Sequence, residues 1–316
     1  MAAESSPRIQ HIAEIFDSSK PVASSKLVYL SDLSNEELKF LKEIWTNTDA
    51  ARRHQVISQL VHLSEVDFRL DFSGVFVFCL SDPDETLRIQ AITGLDREEN
   101  YLLITPLLRA LKEDNSAKVR AAAATALGKF ALLGELGKLP THYKNKIYTA
   151  LLEVLDNKVE AAEVRRRALE AVSPFNLPRV KELIEQAYRT DDVKLKSSAI
   201  YAMGRNCDSA WLTTLMTELN SNEAEIRYEA ANACGELGAE ETVPQLLKLI
   251  KDEDYQVQEA AIKALGQIGG EQAKQALKKL AKNPQPRIRQ AAKSALEEMH
   301  CCEDPLFPQP QLGHHC

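Results

Sequence analysis

Apolar residues return along this chain in a fixed tetrad: a β-branched residue or leucine, usually followed by a base, then alanine at plus four and an apolar residue at plus eight. Val119-Arg120 leads to Ala123 and Leu127, Val164-Arg165 to Ala168 and Val172, and Leu195-Lys196 to Ala199 and Met203. Ile226-Arg227 leads to Ala230 and Cys234, Val257-Gln258 to Ala261 and Leu265, and Ile288-Arg289 to Ala292 and Leu296. Steps of four keep such residues on one face of an α-helix. From Leu195 onward the tetrads are 31 residues apart. Upstream, Leu87-Arg88 with Ala91 and Leu95 lies 32 residues before Val119, and a degraded copy at Ala51-Arg52 lies 36 before Leu87. A period near 30, repeated this often, marks stacked supersecondary units.

Each period holds two helical patterns. Thr242 to Ile250 places Val243, Leu246, Leu247 and Ile250 on one face, and Tyr255 to Ile268 carries the tetrad. Strand-like alternation is absent. The first helix is expected on the outside, and the alanines of the second let successive second helices approach closely. Glycine at plus nine (Gly128, Gly204, Gly235, Gly266) reads as ending or loosening the second helix. One pair cannot bury both of its faces, so stacking makes the core. The prediction is an all-α α-solenoid, an armadillo-like superhelix of about eight antiparallel helix pairs, with the second helices on its concave side. The solenoid is expected over 31–299, after a flexible segment at 1–30 and before a disordered Pro/Cys/His tail at 300–316.

Two stretches depart from the period. Between Val119 and Val164 the spacing rises to 45. The extra residues fall at about 130–146, either as a loop feature for binding or as a longer second helix whose Leu132, Leu133, Leu136 and Leu139 pack. Near the N-terminus, Leu33 to Glu37 reads as a capping sequence ahead of Leu38, Leu41, Ile44 and Trp45. Phe68 to Leu80, with Phe68, Phe72, Phe76 and Phe78, reads as the buried first helix of the unit containing Leu87.

Composition adds little to the fold but narrows the function. Hydrophobic content of 44% and charged content of 27% fit an ordinary soluble protein, and the longest apolar run, near Phe72 to Leu80, is too short to span a bilayer. The reading is cytoplasmic, with no membrane role. A net charge of −7 argues against general nucleic-acid binding, which needs a basic footprint. The charge is uneven. Asp208 to Glu259 holds 12 acidic residues against Arg227, Lys248 and Lys251, whereas Lys263 to Glu298 holds eight basic residues against Glu271, Glu297 and Glu298. Such runs are solvated helix faces, or patches that orient a partner or pair copies of the chain in weak self-association.

The tetrad with its preceding acidic or amide turn residue resembles HEAT repeats, specifically the short kind of the phycobilisome-lyase-like family. Asp114 to Lys129, Asn222 to Gly235 and Asp252 to Gly266 carry the resemblance best, and it covers about four-fifths of the chain. It implies a ladder of turn acid and arginine, continued here by Asp84 with Arg88 and Asp114 with Arg120, that holds repeats together. A related enzyme type, deoxyhypusine hydroxylase, holds two irons between His-Glu dipeptides on second helices. At the equivalent places this chain has Tyr228-Glu229 and Gln258-Glu259, and none of its seven histidines is followed by Glu. Carboxylates alone do not make that site. A DNA-glycosylase-like groove is only faintly matched by Tyr201, Tyr228, Arg166 and Arg205.

No catalytic residue or cofactor is expected. The weak metal candidates are His300, Cys301, Cys302, His314, His315 and Cys316, six N/S ligands without Cys-x-x-Cys spacing. Isolated Cys79, Cys207 and Cys234 suggest no disulfide framework. The expected function is a non-enzymatic scaffold or adaptor that binds a protein partner on its concave ridge. There, positions plus two, six and ten of the second helices point outward: Arg166, Glu170, Tyr201, Arg205, Tyr228, Asn232 and Glu236. The competing expectations are a lyase-like or cofactor-attachment accessory and a self-assembling structural protein.

Overall fold

The computed structural model describes residues 7–303, with side chains described as far as Met299. Among the described residues there is no strand. A leading helix, α1 (Pro7–Ile15), is followed by eight antiparallel pairs. These are α2 (Asn35–Trp45) with α3 (Ala50–Val66), α4 (Ser73–Cys79) with α5 (Glu85–Gly94), α6 (Ile104–Glu113) with α7 (Ala117–Glu135), and α8 (Thr141–Asp156) with α9 (Ala162–Val172). The array continues with α10 (Pro178–Tyr188) and α11 (Val193–Asn206), α12 (Leu212–Glu218) and α13 (Ala224–Leu237), α14 (Val243–Leu249) and α15 (Tyr255–Ile268), and α16 (Gly270–Leu280) and α17 (Pro286–Glu303). The chain is an α-solenoid, as the period predicts.

The tetrads form its spine. Val119, Ala123 and Leu127 are buried, as are Ile226, Ala230 and Cys234, and Val257, Ala261 and Leu265. Successive second helices lie directly against one another, whereas successive first helices meet far less. The tighter edge of a stacked array is its inner curve, so the second helices line the concave side. The plus-nine glycines set that spacing rather than ending helices. Gly204 lies inside α11, and a Cβ on it would stand 2.7 Å from the Cα of Ala233; one on Gly266 would stand 2.9 Å from the Ala295 Cβ. The helix ends come three residues later, at Cys207 (φ 53°), Gly238 (φ 66°) and Gly269 (φ 73°), all at positive φ.

A ladder of ion pairs runs along the turns, and it crosses between repeats. The sequence pairs Asp84 with Arg88 and Asp114 with Arg120 inside one repeat. Instead Arg88 makes a bidentate pair with Asp114 of the next repeat, at 2.8 and 2.9 Å. Arg120 reaches Glu160 at 3.0 and 2.7 Å, Arg227 reaches Asp252 at 2.7 and 2.8 Å, and Arg53 reaches Asp82 at 2.5 Å. Lys196 does the same with Glu218 at 2.8 Å. Asp84 is occupied otherwise, accepting from the Thr86 and Leu87 amides at the start of α5 and facing His54 Nε2 at 2.8 Å. Within its own turn the Arg88 guanidinium meets the Asp82 and Pro83 carbonyls, and the carboxylate comes from the neighbouring repeat.

The two departures resolve as helix. The residues at 130–146 lengthen α7 to 19 residues and contribute to the 16 of α8, with Leu133 buried and Leu139 packed on the core. The capping sequence is a capping box: Ser34 Oγ accepts from the Glu37 amide at 3.3 Å, and the Glu37 carboxylate accepts from the Ser34 amide at 2.9 Å. Two expectations fail. Residues 7–30 are not a flexible segment; α1 and a 3-10 helix at Ser24–Leu30 bury Ile12, Ile15, Leu27 and Leu30 and cap the first pair. Phe68 is not in a buried helix but in the turn before α4, 80% exposed, with the Arg97 guanidinium 5.2 Å over its ring.

Candidate functional site

The concave ridge divides the seven expected contact residues into two sets. Arg166 and Glu170 on α9 belong to a closed polar network around buried Ser198 of α11. Ser198 Oγ donates to Glu170 Oε1 at 2.6 Å and accepts from Arg166 at 2.9 Å. Arg167 holds the other Glu170 oxygen at 2.8 Å, and Glu163 takes both arginines. Every charge in this set has a partner within the chain.

The other five come together. Tyr201 and Arg205 of α11 and Tyr228, Asn232 and Glu236 of α13 line one groove of ≈ 210 Å³. Its floor is Ala233, the residue against Gly204, so the small pair that draws the helices together also makes the depression. Arg205 and Glu236 pair across the two helices at 3.2 Å. Tyr201 and Tyr228 keep 40% and 37% of their surface in water. A second groove, of ≈ 610 Å³, shares Tyr228, Asn232 and Lys263 with the first and continues past α15 to α17, where Arg287 pairs with Glu259 at 3.0 Å and stacks 4.1 Å from the Tyr255 ring.

Glu229, Lys263 and Gln267 line the first groove too; Lys263 and Gln267 stand at plus six and plus ten from Val257, where the steps of four place ridge residues, and Glu229 lies off that rule. Glu229 is the informative one. It stands at plus three, where Ala122, Ser198, Ala260 and Ala291 stand in four other repeats and Gln90 and Arg167 in two, so it is the single carboxylate of that column. Burial, together with the nearby Glu170 and Glu225 carboxylates, pushes its carboxyl up to about 7, against the pull of Arg166 and Arg167. The groove therefore combines two tyrosine faces, amide groups, a satisfied ion pair and a carboxyl that titrates near neutrality.

Among the described residues no group of three or more His, Cys, Asp or Glu side chains is arranged to hold a metal ion, and Tyr228 takes the place of an imidazole beside Glu229. The side chains of His300, Cys301, Cys302, His314, His315 and Cys316 lie outside the described residues. Cys79 and Cys234 are buried free thiols. No helix among the described residues is long and apolar enough to cross a membrane.

Comparison with known proteins agrees with this architecture. Residues 212–297 match HEAT repeats, and residues 103–133 match a HEAT repeat. Among solved structures, the complex of CpcE and CpcF of phycocyanin lyase from Nostoc sp. is 20% identical over 72% of this chain and 93% of that one, with a TM-score of 0.47. Human deoxyhypusine hydroxylase is 17% identical over 93% and 97%, with a TM-score of 0.36. The karyopherin Kap121p bound to the SUMO protease Ulp1p is 15% identical over 92% and 37%, with a TM-score of 0.49. No curated protein sequence matches the chain. These distant likenesses carry no function across. With repeat matches in two separate stretches and, among the described residues, eight helix pairs stacked through their second helices, the chain is an α-solenoid that carries HEAT repeats.

Proposed function

We propose that this protein is a non-enzymatic, cytoplasmic scaffold that holds a protein partner along its concave face, in the groove between α11 and α13 and its extension to α17. The observation that supports this most directly is the pair Tyr201 and Tyr228. They lie on successive second helices, half open to water, over a floor of alanine. Tyrosine offers a large, rigid contact area with a polar tip, and arginine and tyrosine are the residue types that dominate interface energetics. Arg205 and Glu236 at the rim set register rather than adding much affinity, because a surface pair contributes about 0–1 kcal/mol. On this reading Arg166 and Glu170 support the groove from behind, since their charges are already paired.

Parallel capture from native lysate on the purified protein and on a variant carrying Tyr201→Ala, Tyr228→Ala and Arg205→Ala tests the proposal. A partner retained at one-to-one stoichiometry by the first and lost at least about tenfold by the second is the expected result. Equal retention by both moves the contact away from this groove, and retention by neither removes the scaffold reading.

A further inference from the structure

The turn between the two helices of a repeat uses one device in six of the eight pairs. A side chain two residues before the capping residue of the second helix accepts a hydrogen bond from that residue's backbone amide. Asp82 does so for Asp84 at 2.8 Å, Asp114 for Ser116 at 2.8 Å, Asp252 for Asp254 at 2.9 Å and Asn283 for Gln285 at 2.9 Å. Thr190 does so for Asp192 at 3.3 Å and Ser221 for Glu223 at 3.4 Å. From this same position Asp82, Asp114 and Asp252 reach back to the arginine of the preceding repeat. Where Ser221 stands, Glu218 replaces it as the partner of Lys196, and Glu160 serves Arg120. Where Asn283 stands, the preceding repeat presents neutral Gln258, which donates to the Asp252 carbonyl at 2.6 Å.

The junction between α9 and α11 is different. Thr190 occupies the turn position, Arg165 is the base of the preceding repeat, and no carboxylate among the described residues pairs with it. The Nε of Arg165 is buried without a hydrogen-bond partner. Arg88, Arg120, Arg227 and Arg289 each also donate to a carbonyl of their own turn, and Arg165 makes no such bond. It lines instead a crevice of ≈ 150 Å³ walled by Leu155, Leu169, Leu183 and Leu195. Two other charged groups line it. Asp192 caps α11 through the Lys194 and Leu195 amides, and Arg166 is held by Glu163 and Ser198.

We infer that this crevice is a carboxylate-binding site, in which an aliphatic acid of about four to six carbons completes the ladder at Arg165. Its carboxylate occupies the place that Asp114 or Asp252 takes in other repeats, and its chain lies on the leucine walls. A buried donor left unmet is costly, whereas a guanidinium meeting a carboxylate forms short, paired, charge-assisted bonds. The site lies at the turn edge of the array, away from the tyrosine groove, and does not depend on the scaffold reading. A free fatty acid and a glutamate side chain of another protein present the same chemistry.

The test uses the full-length protein, ¹⁵N-labelled, titrated with hexanoate, with N-acetylglutamate α-amide and with hexan-1-ol, while the Arg165 Nε–H resonance and the Leu195 amide are followed. Both carboxylates are expected to give saturable shifts at millimolar concentration, and hexan-1-ol none. Tighter binding of the glutamate derivative identifies a protein side chain as the natural occupant, and tighter binding of hexanoate a free acid. Arg165→Met is expected to weaken binding at least about tenfold. Thr190→Asp supplies the missing rung from within, so this variant is expected to melt about 2–4 °C higher and to lose carboxylate binding. Absence of saturation in the unmodified protein, an equal response to hexan-1-ol, or undiminished binding by a folded Thr190→Asp variant overturns the site.

Discussion

Glu229 shows how one residue in a repeat can carry a property its neighbours lack. Its folded carboxyl titrates at about 7 rather than 4.5, because burial and two neighbouring carboxylates disfavour the charge. The folded state therefore holds its proton more tightly than the unfolded chain. Below pH 4.5 both states are protonated and the residue is neutral in its effect; as pH rises through 7 the folded state loses stability relative to the unfolded one. Replacing Glu229 with Gln removes the titration. The variant is expected to match the parent near pH 4.5 and to exceed it by about 1–3 kcal/mol above pH 7.5, read as the urea midpoint at the two pH values. The residue scale is also where the sequence is least explicit. Tyr201 and Tyr228 are legible because steps of four place them outward, but the acid that meets Arg88 is not. Asp84 and Asp114 look alike in sequence, and only the stacking of the next repeat decides that Asp114 takes the guanidinium. Phe68 looks as buried as Phe72 because hydrophobicity does not report the turn that carries it outward.

At the scale of helices, the spacing between second helices is set by a stripe of small residues. Gly128, Gly204, Gly235 and Gly266 each lie against an alanine of the following helix: Ala171, Ala233, Ala264 and Ala295. A methyl group on Gly204 would meet backbone rather than a movable side chain, so Gly204→Ala must push α11 and α13 apart. The expected loss is about 1–3 kcal/mol by thermal or urea unfolding, even though alanine is the better helix former. Gly74 of α4 supplies the control, because a Cβ there meets nothing within 4 Å. Gly74→Ala is expected to stabilise by about 0.4–1 kcal/mol. The sequence announces both the helices and the recurrence of these glycines, but glycine after an apolar run is the usual mark of a helix end. Only the register between neighbouring helices shows that the end comes three residues later and that the glycine is a contact. The extra residues at 130–146 are ambiguous for a similar reason, since leucines at helical spacing suit either a packed loop or a longer helix.

Over the whole molecule the period was enough to give the solenoid, its eight pairs and its concave edge, because a 31-residue repeat of small and apolar residues has few other ways to bury itself. It could not reveal that α1 and Ser24–Leu30 close the N-terminal end, since that cap repeats nothing. Nor does periodicity show that the repeats are unequally joined. Stability in such an array is close to a sum of repeat terms and nearest-neighbour terms, so the weakest junction decides whether it unfolds as one unit. α5 packs on α7 no more extensively than α9 on α11, but Arg88 and Asp114 bridge that junction, so the one expected to yield first is between α9 and α11. The ladder is interrupted there at Arg165, a crevice of ≈ 150 Å³ opens beside it, and α9 and α11 pack less extensively than α7 with α9 or α11 with α13. Hydrogen exchange followed by mass spectrometry in rising urea is expected to show two blocks, 7–172 and 178–299, losing protection at different concentrations. Thr190→Asp, by restoring the rung, should bring the two transitions together. A single cooperative loss in the unmodified protein would mean that apolar packing of α9 against α11 outweighs the missing ion pair, and that the ladder sets register between repeats rather than their cohesion.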